Sequence, residues 1–120
     1  MLALLLLLAV PQAFAMTPLP AEMEPHLERY GRCLQDAMES RQAELHPDSQ
    51  PSRAAALFGQ ARASCAQVRS EAIEGSLKGL ASNVAFADAA KRKAFVIERF
   101  DGAEALLKAS YAGEFDPDKW

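Results

Sequence analysis

An all-α fold is predicted by three observations. Apolar residues recur at spacings of three and four over three long stretches, and the helix breakers gather between those stretches. The only two cysteines, Cys33 and Cys65, fall one on each of the first two apolar stripes. The expected architecture is a three-helix up-down-up bundle built on a disulfide-stapled antiparallel helical hairpin. It divides the chain into a cleaved signal peptide (1–15), the bundle (16–113) and a C-terminal tail (114–120). An alternative merges the end of the second helix with the third into an irregular arm that pairs with a second chain.

The leader comes first. Leu2 to Val10 is a nearly pure apolar run, broken by Pro11 and Gln12 and followed by Ala13-Phe14-Ala15, an A-x-A cleavage site before Met16. The run is too short for a membrane-spanning helix, which needs about 20 apolar residues. No cysteine follows the site, which removes a lipid anchor. No Lys or Arg precedes the run, so the amino terminus supplies the positive charge or the start codon lies upstream. A third reading starts the chain at Met16 and keeps it cytosolic. The leader implies a periplasmic or secreted protein with no transmembrane anchor.

Thr17-Pro18-Leu19-Pro20 is a stiff, extended lead-in. Helix A is expected over about 21–45, with Pro25 tolerated only near its start and a stripe of Met23, Leu27, Tyr30, Leu34, Ala37, Met38 and Leu45. The segment His46-Pro47-Asp48-Ser49-Gln50-Pro51 ends it and starts helix B, expected over about 52–78. The stripe of helix B is Ala54, Leu57, Phe58, Ala61, Cys65, Val68, Ala72 and Ile73. Ser49 lies midway between the cysteines, so equal arms of a hairpin bring Cys33 and Cys65 level. Two buried free thiols are the alternative, and the oxidising compartment implied by the leader favours the disulfide.

Gly75 and Gly79 are read as a bend or the termination of helix B. Helix C, capped by Ser82 or Asn83, is expected over about 83–111. Its core face is Phe86, Ala90, Ile97, Phe100, Leu107 and Tyr111, with Val96, Ala103 and Leu106 beside it. Four acid-before-base pairs at spacing four, Glu28–Arg32, Glu74–Lys78, Asp88–Arg92 and Glu104–Lys108, are assigned to helix surfaces.

Candidate chemistry is sparse. The net charge of −3 gives no global attraction to nucleic acid, and Lys91-Arg92-Lys93 spreads around a helix as a solvated face. His26 and His46 lie about 30 Å apart along helix A and cannot share an ion. The cysteines are each other's partners rather than nucleophiles, and neither G-x-S-x-G nor C-x-x-C occurs. No catalytic residue, metal site or cofactor is therefore assigned, and the chain is not expected to be an enzyme. Leu19, Leu80, Val84, Phe95, Phe115 and Trp120 exceed what three stripes must bury. Phe95, Phe115 and Trp120 form the candidate apolar binding patch.

The segments Tyr30-Gly31-Arg32-Cys33-Leu34 and Cys65-Ala66-Gln67-Val68-Arg69 resemble a pattern in small exported helical proteins of Gram-negative bacteria that carry one cysteine on each of two helices. The resemblance implies location and hairpin, and no activity. Periplasmic helical chaperones are similar in size, but their L-T-x-x-Q repeats are absent here. The expected function is binding of a protein partner or client by a monomer or homodimer. A carrier of a small apolar ligand, lined by Phe58, Phe86, Phe100 and Leu107, is the alternative.

Overall fold

Prolines and local caps decide where the helices begin and end. A computed structural model describes residues 18–41 and 51–111. Residues 21–23 form a turn, and helix α1 (Glu24–Glu39) starts one residue before Pro25, where the missing amide costs nothing. It stops at Glu39, short of the expected Leu45. Ser40 Oγ and Arg41 Nη1 both donate to the Ala37 carbonyl, at 2.7 and 2.8 Å, and residues 40–41 form a turn. Side-chain donors thus replace an amide that a longer helix would supply. Leu45 and His46 lie outside the described residues.

The expected helix B is two helices, α2 (Pro51–Ser64) and α3 (Ala66–Leu80). The break is Cys65, at φ −101° and ψ 13°, whose amide is shared between the carbonyls of Ala61 (3.0 Å) and Arg62 (3.2 Å). Its sulfur lies 2.11 Å from that of Cys33, with the Cα atoms 6.1 Å apart. A bond closing a loop of this length contributes about 3.5–4 kcal/mol by constraining the unfolded chain.

Helix α3 ends at Leu80, one residue after Gly79 and at the expected termination, while Gly75 sits inside the helix. A Cβ on Gly75 would fall 2.9 Å from His26 Nε2 and closer still to Cε1 and Nδ1. One on Gly79 would meet Glu22 Cβ at 3.1 Å and the Glu22 carbonyl oxygen at 3.2 Å. The glycines form a notch that receives the start of α1. Asn83 pins the same corner, donating to Glu22 Oε2 at 2.9 Å.

Helix C is also divided. Asn83 accepts from the Ala85 amide at 3.0 Å and caps a 3-10 turn, Val84–Phe86. Helix α4 (Ala89–Tyr111) follows, with Asp88 Oδ1 accepting from the Lys91 amide at 3.0 Å. Asp88 is therefore a cap rather than an ion-pair partner of Arg92, which donates to the Phe86 carbonyl at 2.8 Å.

The regular structure of the described residues is all-helical. Helices α1 and α4 each pack against both α2 and α3. The stripes expected for helices A and B form the core, with Met23, Tyr30, Leu34, Met38, Leu57, Ala61, Cys65 and Ala72 buried. Of the face expected for helix C, Phe100 is buried, and Phe86, Leu107 and Tyr111 pack against the core; the departures are Ala90, which is exposed, and Glu104, which joins Val96 and Phe100 on the buried line of α4. Phe100 stacks on Tyr30 with ring centroids 5.8 Å apart.

Candidate functional site

Glu104 is 7% exposed and lies two helical turns beyond Val96 on the buried line of α4. A lone buried carboxylate costs several kcal/mol, so it must be satisfied. Tyr30 on α1 donates its hydroxyl to Oε2. Arg62 Nε on α2 and Arg69 Nε on α3 reach the same oxygen at 2.8 and 3.0 Å. Arg69 Nη2 also reaches Asp101 Oδ1 at 2.9 Å. One carboxylate thus ties α4 to a side chain from each of the other three helices, in place of the surface pair expected with Lys108.

The electrostatics follow from that geometry. Burial by itself pushes the Glu104 carboxyl up, but the hydrogen bonds from Tyr30, Arg69 and Arg62 outweigh it and hold the group below its usual 4.5. Burial, reinforced by the adjacent carboxylate, drives the Tyr30 phenol well above its usual 10.0. The cluster is a clasp.

What the clasp holds is one wall of a groove. Tyr30 joins Leu27, Gly31, Leu34 and Gln35 on one bank, facing Ala103, Leu106, Leu107 and Ser110 on the other. The cleft between α1 and α4 is apolar and encloses about 320 Å³. A Cβ on Gly31 would meet nothing within 4 Å, so the missing side chain leaves the cleft open. Leu106 stands beside it at 55% exposure. Leu27 also borders a second depression, which Leu19, Glu24 and Glu28 complete.

The residues singled out from sequence fare unevenly. Cys33 and Cys65 are brought together. Phe95 is half-buried, its ring centroid 4.8 Å from that of Phe86, and it does not line the groove. Its companions Phe115 and Trp120, and the cleavage residues Ala15 and Met16, lie outside the described residues. Of the other surplus apolar residues, Leu80 is buried in the core and Val84 is exposed. Of the expected carrier cavity, Phe58 and Phe100 are core, Phe86 packs on Phe95, and Leu107 alone lines the groove. His26 lies against Gly75, and the described residues contain no group of three metal-binding side chains. No helix among them is long and apolar enough to cross a membrane.

Sequence reasoning misses Glu104 because an acid four residues before a lysine reads as surface. A signal is nevertheless present in Arg62 and Arg69, seven residues apart and so on one helical face, where two cations call for an opposing anion. No protein-family model, curated protein or solved structure matches the chain, so its function is read from the groove and the residues that frame it.

Proposed function

We propose that this is an exported, non-catalytic helical protein that binds a partner or client polypeptide in the groove between α1 and α4. The bundle is read as up-down-up, with Cys33–Cys65 oxidised outside the cytosol. The observation that carries the reading is the groove itself: two apolar banks, an exposed Leu106, and a wall fixed from behind by the Glu104 clasp. Partner helices commonly dock by laying an apolar face into such a cleft. Its volume of 320 Å³ also supports the second reading, a carrier of a small apolar ligand, since ligand pockets begin at about 300 Å³.

Native mass spectrometry of protein purified from the periplasm separates these readings, with Leu106→Glu as the comparison. A bound polypeptide or second copy on the wild type, absent from the variant, supports partner binding. A bound small molecule transfers the groove to the carrier reading. A polypeptide retained equally by the variant overturns the assignment of the groove. The same spectrum reports loss of residues 1–15 and the two hydrogens missing from an oxidised cysteine pair.

A further inference from the structure

We infer that the groove takes a cationic amphipathic helix, with Lys or Arg near both ends of an apolar face. This rests on the reading of the cleft as a polypeptide site and names the chemistry of its occupant. The cleft itself is lined by no charged side chain, and the depression that shares Leu27 with it is lined by two carboxylates, Glu24 and Glu28. Glu28 is paired with Arg32, while Glu24 is exposed and has no ion pair among the described residues. At the other end, Glu39 follows Gln35 by one turn of α1, is exposed, and also has no ion pair among the described residues. It lies near Tyr111, the residue after the groove-lining Ser110, close enough for its charge to act on the phenol.

Glu24 and Glu39 are separated by about 22 Å along α1. A helix of about four turns matches that span, with leucine-like anchors at i, i+3, i+4 and i+7 between basic ends. The α4 bank contributes Ala103, Leu106, Leu107 and Ser110 and no charge. The docking surface is thus an apolar trough with an acid at each end. An acidic amphipathic helix would meet repulsion at both ends, which is how charge selects between helices of equal hydrophobicity.

Two labelled synthetic peptides of about four helical turns test this by fluorescence anisotropy. Both carry leucine on one face; one has lysine at both ends of that face and its twin has glutamate there. The lysine peptide is expected to bind the wild type about tenfold or more tighter, with the gap narrowing as salt is raised. Gly31→Leu places bulk in the cleft, where a Cβ meets nothing within 4 Å, and with folding checked by circular dichroism the lysine-peptide affinity is expected to fall about tenfold or more. Leu106→Glu, at an exposed position, is the second groove variant and should lose affinity in the same way. Glu24→Gln with Glu39→Gln should erase most of the lysine preference, whereas Glu98→Gln, which lies outside the groove on α4, should not. If the two peptides bind equally and both are weakened by Gly31→Leu, the charge inference falls and the groove stands. If neither peptide binds, or neither groove variant weakens binding, both fall.

Discussion

Toward α3, helix α1 makes a closed contact: the His26 ring and the Glu22 backbone occupy the space that side chains on Gly75 and Gly79 would need. Toward α4 it is open: a Cβ on Gly31 would have nothing within 4 Å, and a cleft remains. The same residue type serves close packing on one side and vacancy on the other. A glycine in a helix costs about 1 kcal/mol against alanine, so neither position is neutral for the fold. The closed side accounts for its glycines by packing, and the open side keeps Gly31 without any packing reason.

The largest expected effect breaks the device that holds both faces. Glu104→Ala should destabilise by about 3 kcal/mol, because it strands Arg69, which is 18% exposed, and the buried Tyr30 hydroxyl. Its sign with pH is fixed. The folded carboxyl lies below 4.5, so its contribution is complete above that value and is lost as pH falls through the folded pKa. Denaturant melts from neutral pH down to about pH 3 should show the wild type losing more stability than the variant. Parallel curves would remove the clasp from the account.

Next comes the closed face. Gly75→Ala should lower the melting temperature, since displacing the His26 ring costs about 1–3 kcal/mol and outweighs the gain in helix propensity. In a His26→Ala background the same substitution should become stabilising. A double-mutant cycle without that change of sign would show that the notch is not what the glycine serves. Gly31→Ala, by contrast, should stabilise in either background by up to about 1 kcal/mol, and destabilisation would mean that the cleft is occupied. The smallest effect belongs to Ser76, fully buried with a hydroxyl that finds no partner among the described residues. Ser76→Ala should be neutral or raise stability by under about 1 kcal/mol in thermal melts.

The buried stripes of α1 and of α2–α3 are legible in the sequence, because apolar side chains at helical spacing have one sensible destination. The cysteine pairing is legible for the same reason, both residues lying on those stripes. Helix α4 is legible only in part, because its buried line includes a glutamate beside the expected Phe100. An ionised side chain does not count as core until its partners on three other helices are known. The break at Cys65 and the early stop of α1 depend on local hydrogen bonds that a periodicity cannot show. The groove is hidden for a related reason. It is defined by what Gly31 and Ala103 lack, and absence of bulk acquires meaning only when the facing helix is in place.

Amide chemical-shift mapping of the ¹⁵N-labelled protein, titrated with the leucine–lysine peptide, tests the open face most directly. Shifts concentrated on residues 27–35 and 103–110, with Glu24 and Glu39 at their margins, are predicted. Shifts centred on the outer surface of α2 and α3, with Gly31 and Leu106 unmoved, would contradict the account.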